Sequence, residues 1–309
     1  MNNIQLQEAS KKAAKPKFHG HPTLKSRAIP KYPDTAEREF QRITNAYVKM
    51  LHSELKDRLP ELMNEYKRER HGDSRYDDAR DLERAVRKMF QEIAAALEQK
   101  LEKFNLLDRI FSIANMTKNT SLREWKRVVH KTFGIDLLSD YYNGSFYEEY
   151  LNRWVSENVL KIKSIPQTAL DEMREIILDG YRNGRSIKNI QRDIQDSYNV
   201  TKHKARMLAR DQVATLNSQI AQAQQRDAGV TEYEWSTSHD ERVRPCHAEL
   251  DGKTCSWDDP PEMWYETKSR GTVYTGRRCH PGEDYLCRCV AIPKFNFETI
   301  SFPMAGKNK

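Results

Sequence analysis

Cysteine and histidine crowd one stretch of the chain. Cys246-His247, Cys255, Cys279-His280 and Cys287-Arg288-Cys289 contain all five cysteines, and no thiol precedes residue 246. Thiolate and imidazole together are the donors that zinc prefers, and a structural zinc takes four of them in a tetrahedron. The sequence therefore predicts a structural zinc held by four of Cys246, His247, Cys279, Cys287 and Cys289. The preferred set is Cys279, Cys287 and Cys289 with one of Cys246 or His247. A Cys-x-Cys pair is less usual at zinc than Cys-x-x-Cys, and the competing reading is a set of reduced, buried thiols acting as small hydrophobes. A catalytic zinc would need a general base beside it. Asp240, Glu249 and Glu283 qualify by type, yet the chain has neither a His-Glu-x-x-His helix nor a zinc-deaminase pattern. Cys246 and His247 are neighbours in sequence and point apart, which argues against a nucleophile and base pair. The run from His239 to Arg244 reads as a turn stabilised by the Asp240 carboxylate. Glycine-rich phosphate loops are absent, so no nucleotide chemistry is expected.

The elements that must position these residues are mostly helical. Apolar residues make up 38% of the 309 and charged ones 31%, with 12 glycines and 12 prolines, a balance that favours slender helices with solvated faces. The first strong helix starts after Pro33, with Asp34 as N-cap and Glu37 as its capping-box partner, and runs through Phe40, Ile43, Tyr47, Leu51 and Leu55 until Pro60 kinks or ends it. After a polar break at His71-Gly72-Asp73-Ser74, a second helix carries Leu82, Val86, Met89, Phe90, Ile93, Leu97 and Leu101 on one face. The two read as an antiparallel hairpin whose apolar stripes are packing faces. A shorter helix is expected from Thr120 or Ser121 to Gly134, and another over 140–163. Pro166 then opens a helix that stops at Gly180, Ser186 caps the next, and Thr201 caps a third ending near Gly229. Beyond Gly229 the alternation in Thr231–Thr237, and Val273-Tyr274 between glycines 271 and 276, predict short strands and loops.

The formal charge is +7, and its surplus is concentrated at one end. Lys11, Lys12, Lys15, Lys17, Lys25, Arg27 and Lys31 face only Glu8 across residues 1–33, which lack a hydrophobic period and carry four prolines. They read as a flexible basic arm able to meet phosphates, an acidic partner, or merely solvent. No apolar run approaches the roughly 18 residues of a membrane span, and no secretory signal is visible. A cytoplasmic protein with reduced thiols is expected, which favours metal over disulfides.

The residue order in the C-terminal half resembles a known family. Ala205-Arg-Met-Leu-Ala-Arg-Asp-Gln212, Gly229-Val230, Trp235-x-Thr237, Asp240-x-Arg242-Val243, His247-x-x-Leu250-Asp251-Gly252, Pro281-Gly282 and Cys287-Arg-Cys289 follow the pattern of the phage Mu F-like minor head proteins, also described as head morphogenesis proteins of the phage SPP1 type. The resemblance covers roughly residues 165–293. Asp211 departs from it, standing where the family often has a hydroxyl residue, and Cys246 and Cys279 are additional to the shared His and Cys-Arg-Cys. It implies a non-enzymatic minor capsid protein of a tailed phage that binds the portal vertex and acts in head assembly and in genome retention or ejection. Its partners would be the portal protein, double-stranded DNA without sequence preference, and scaffolding or major capsid protein, with no membrane. It would move from host cytoplasm to the head interior near the portal. The alternative is a zinc-dependent hydrolase or nuclease module. The expected architecture is mainly α with a small α+β C-terminal module: a flexible arm over 1–33, an elongated helical domain with a long hairpin over 34–164, a loop-rich zinc-stapled module over 165–293, and a tail over 294–309.

Overall fold

The computed structural model describes residues 3–71 and 78–304. Helix dominates, in α1 (Asn3–Phe18), α2 (Asp34–His71), α3 (Asp78–Lys103), α4 (Leu106–Phe133), α5 (Ser145–Arg182), α6 (Ile187–Asp227) and the short α7 (Pro245–Leu250). Six strands accompany them: β1 (Thr23–Lys25), β2 (Glu232–Ser236), β3 (Thr254–Ser256), β4 (Glu262–Thr267), β5 (Gly271–Arg278) and β6 (Val290–Asn296). The mainly helical class with a small C-terminal sheet region is thus as the sequence predicts. None of the described helices is long and apolar enough to cross a membrane. Two compact units share the long helices. One comprises Met1–Glu37, Ile113–Trp154 and Arg210–Lys309, the other Arg38–Ser112 and Val155–Ala209.

The purely helical unit is built as the apolar spacing dictates. Leu51, Leu55, Val86, Phe90, Ile93 and Leu97 from α2 and α3 meet Leu170, Met173 and Ile177 of α5 and Ile190 and Ile194 of α6 in one buried cluster. Residues three and four apart share a helix face, so each stripe finds a partner stripe. Glu54, almost fully buried, is paired with Arg58 on its own helix and Lys100 on α3. Gly180 allows α5 to approach α6 closely, since a Cβ there would lie 2.6 Å from Ile190 Cγ1.

Several expected boundaries move. Pro60 and Pro166 lie inside α2 and α5. A mid-helix proline costs about 3 kcal/mol, and the apolar residues buried on either side, Leu55 and Leu62 for Pro60 and Ile162 and Leu170 for Pro166, offset that. The division expected at 164/165 therefore falls within one helix. Thr201 is no cap: its hydroxyl donates to Ser197 O at 2.9 Å, satisfied inside an unbroken α6. Likewise α4 begins at Leu106, after Asn105 in the left-handed region at φ 51°, and the Ser121 hydroxyl bonds Gln224 rather than capping a start. The break at Gly72-Asp73-Ser74 lies outside the described residues.

The flexible arm is the larger correction. Residues 3–18 form α1, in which Ala14 and Phe18 are buried, and β1 joins the sheet. Phe18 stacks on Phe133 at 5.7 Å, and Phe133 meets Phe295 at 4.8 Å and Phe302 at 5.4 Å. The Phe302 N–H donates to Ser10 Oγ at 2.7 Å. The segment lacks a strong helical period because few of its apolar residues are needed; a handful of aromatics from the far end of the chain complete the core. Of the expected tail over 294–309, the described residues 294–304 are part of the same core, with Phe295, Ile300 and Phe302 all buried, and 305–309 lie outside the described residues.

The sheet order is β1-β6-β2-β3, every pair antiparallel, while β4 and β5 form a separate hairpin. α6 ends where the Gly229 N–H bonds Arg226 O at 2.9 Å and the Val230 N–H bonds Gln225 O at 2.9 Å, with Gly229 at φ 75°. A Cβ on Gly229 would sit 1.9 Å from Thr299 O, whereas one on Gly252, at φ 76°, meets open space. Gly229→Ala should therefore lower unfolding stability by roughly 2–4 kcal/mol, combining strain and clash. Gly252→Ala should cost only about 1 kcal/mol. Urea denaturation of both variants checks the contrast.

Candidate metal centre

α7 is short, but its start is well defined. Arg244 is extended at ψ 149° and Pro245 takes the first helical position, as a residue preceding proline favours. The turn that follows turns both Cys246 and His247 inward. Its end is tied to β2, since the Gly252 N–H bonds Trp235 O at 2.8 Å and the Thr237 N–H bonds the Asp251 carboxylate at 2.7 Å. The Leu-Asp-Gly run thus turns the chain back against the strand bearing Trp235.

The facing loop joins β5 to β6. Gly282, at φ 90°, approaches α6 so closely that a Cβ would lie 3.1 Å from Ala214 O. Leu286 is also left-handed, at φ 54°, and its N–H is accepted by Asp211 on α6 at 3.1 Å. Asp211, the departure from the family pattern, is therefore a buttress for this loop.

His247 Nδ1 lies 3.7 Å from Cys287 Sγ and 3.6 Å from Cys289 Sγ. The three donor atoms lie within 4.8 Å of one another, and all three residues are buried. On the far side of the ring, His247 Nε2 is 3.1 Å from Asp284 Oδ2. Asp284, only 3% exposed, also pairs with Arg244 and Arg277. The Gly282 and Cys289 N–H groups both donate to Cys287 Sγ, at 3.4 and 3.3 Å.

The electrostatics follow from these contacts. Burial opposes ionisation of Asp284, but hydrogen bonding to His247 and the charge of Arg244 prevail and hold its pKa down to about 2. Burial likewise disfavours a charged His247, yet Asp284 and Cys287 push it up to about 9. Cys287 is held well below the ordinary thiol value by its hydrogen bond with Cys289 and then, against burial, by His247. Cys289 moves the opposite way, chiefly because it shares that hydrogen bond.

A tetrahedral zinc with Zn–S near 2.3 Å and Zn–N near 2.0–2.1 Å places nitrogen and sulfur donors about 3.6 Å apart. The spacing from His247 Nδ1 to both sulfurs fits that requirement. Of the five residues marked by sequence, the structure brings His247, Cys287 and Cys289 together and leaves Cys246 and Cys279 outside the group. All four buried cysteines, these two together with Cys287 and Cys289, lie in one apolar cluster with Tyr233, Trp235, Trp257 and Met263. Burial raises the Cys246 and Cys279 thiols, Cys279 to about 11. His280 makes a separate contact, with Nδ1 3.0 Å from the Tyr233 hydroxyl. Asp240 pairs with Arg288 and accepts the Arg242 N–H at 3.1 Å, the expected turn. Sequence reasoning missed Asp284. Its signal was an acidic residue in the loop leading to Cys287, where a histidine ligand needs a carboxylate behind it.

The cations marked for DNA are divided. Lys11 pairs with Glu298 at 3.0 Å and Lys25 with Glu234 at 2.9 Å. Lys12, Lys15 and Lys17 are exposed on α1, and Arg27 and Lys31 are exposed beyond it.

Residues 171–292 match the family model described as Phage Mu protein F like protein. An uncharacterized protein of Haemophilus influenzae is 33% identical over 214 residues, which is 67% of this chain and 45% of that protein. The chain thus spans somewhat less than half the length of this curated relative. No solved structure matches.

Removing the Asp284 carboxylate leaves His247 buried without its counter-charge. Asp284→Ala should lower stability by roughly 3–5 kcal/mol. Arg278→Ala, which removes an ion pair to the exposed Asp259, should cost under about 1 kcal/mol. Denaturation followed through tryptophan fluorescence, with Trp235 against His247 at 5.4 Å, distinguishes the two.

Proposed function

Residues 171–292 belong to the phage Mu protein F-like family, and from that premise we propose that the chain is a minor head protein of a tailed phage. It docks at the portal vertex and acts in head assembly and in retaining or releasing the genome. The observation that carries this reading is the match over 171–292, which spans the helix, strand and loop pieces that build the Cys-Arg-Cys module. Its place is the host cytoplasm during assembly and then the head interior beside the portal, where packaged DNA is the dominant polyanion.

DNA contact falls to α1. Lys12, Lys15 and Lys17 are exposed on a helix anchored by Phe18 and by the pairing of Lys11 with Glu298. Lysines fixed on a helix surface meet phosphates without reading sequence, through counterion release. Because α1 and β1 belong to a folded core, deleting residues 1–33 would damage the protein, and charge reversal is the cleaner test.

The role is structural rather than catalytic. A hydrolytic zinc site needs a carboxylate free to take a proton. Asp284, the carboxylate beside His247, is engaged by His247, Arg244 and Arg277 at once. Intact plasmid after incubation with zinc-supplemented protein is the expected result, and zinc-dependent cleavage abolished by chelator would establish the hydrolase instead.

Two measurements test the main reading. The full chain should co-purify with the portal protein of its own phage, and failure to do so removes portal docking. K12E/K15E/K17E should weaken binding to double-stranded DNA and flatten the dependence of log K on log salt by about 2–3, as loss of three phosphate contacts requires. An unchanged slope removes α1 as the DNA face.

A further inference from the structure

We infer that His247 Nδ1, Cys287 Sγ and Cys289 Sγ hold a zinc ion that staples α7 to the loop between β5 and β6. The inference does not depend on portal docking, because it stands on geometry within one unit.

Three observations point to a metal rather than to packed thiols. First, both nitrogen-to-sulfur spacings, 3.7 and 3.6 Å, match the edge of a tetrahedron around zinc, and two sulfurs converge on one ring nitrogen. Second, two backbone N–H groups, from Gly282 and Cys289, point at Cys287 Sγ. Such donors stabilise a thiolate, the form in which sulfur binds metal. Third, the Asp284 carboxylate lies 3.1 Å from His247 Nε2. A proton kept on Nε2 leaves the Nδ1 lone pair directed at the two sulfurs, the arrangement of a metal-ligating histidine with its carboxylate partner.

The site has a clear mechanical purpose. His247 and Cys287 are 40 residues apart in sequence, and the intervening chain carries β3 on the main sheet and the β4–β5 hairpin, which forms a sheet of its own among the described strands. A metal that joins the two ends of this excursion stabilises the folded state in proportion to its affinity, since the unfolded chain has no preformed site. Softness selects zinc over magnesium or calcium, which take oxygen donors. Asp284 acts here as a positioning residue.

The test is the metal content of the full chain purified without chelator, followed by replacement with cobalt(II). One zinc per chain is expected, and the cobalt form should show tetrahedral visible bands with thiolate-to-metal charge transfer. C246S, C255S and C279S should keep the metal, while C289S and H247A should lose it. H247C should retain it with a stronger charge-transfer band, which guards against misreading a variant that fails to fold. D284N should bind zinc about 10- to 100-fold more weakly in chelator competition with its cobalt spectrum unchanged. A folded wild-type protein that contains no metal and takes up none from added zinc would overturn the inference. Loss of metal in C279S would overturn the ligand set.

Discussion

Asp284 is the charge around which the C-terminal module is arranged. A carboxylate at 3% exposure is tolerable only when its lone pairs are filled by hydrogen-bond donors, charged ones above all. Here they come from three places in the chain: His247 on α7, Arg244 just before it, and Arg277 at the end of β5. Meeting that requirement fixes the loop between β5 and β6 against α7. Once the imidazole is held on its Nε2 side, its other nitrogen faces Cys287 and Cys289, and the position of the two sulfurs follows.

α6 supplies the rest of the constraint. Asp211 accepts the Leu286 N–H, Ala214 and Ser218 crowd the place where a side chain on Gly282 would sit, and Gln225 bonds both Ala291 O and the Trp257 indole. The hydrogen bonds from Asp211 and Gln225 pair polar groups of the sheet and its loops. One helix face thus acts as a template on which a loop-rich module with little apolar core of its own is laid out. The same α6, through Ile190 and Ile194, completes the core of the other unit.

What could be read in the sequence was what short-range pattern encodes. The stripes of α2 and α3, the stops at Gly134 and Gly229, the strand alternation around Trp235 and the two-residue Cys-Arg-Cys spacing were all legible because each depends on neighbours within a turn or two. The order of pieces from Trp235 to Cys289 was enough to mark a Mu F-like module. The N-terminal segment was not legible, since the partners of Ser10 and Phe18 lie almost the whole chain away, at Phe302 and Phe297. Pro60 and Pro166 misled for the converse reason: their local penalty is real, but burial on both sides outweighs it. Among the five proposed ligands, composition alone gave no means of separating Cys246 and Cys279 from the three whose donor atoms converge.

Direct observation of the atoms around the metal tests the central claim, that the module is closed by one imidazole and two thiolates. Zinc K-edge X-ray absorption on the full chain, purified without chelator, should show two sulfur neighbours at about 2.3 Å and nitrogen or oxygen neighbours at about 2.0–2.1 Å. Three or four sulfurs around the ion, or no zinc in the folded protein, would contradict it.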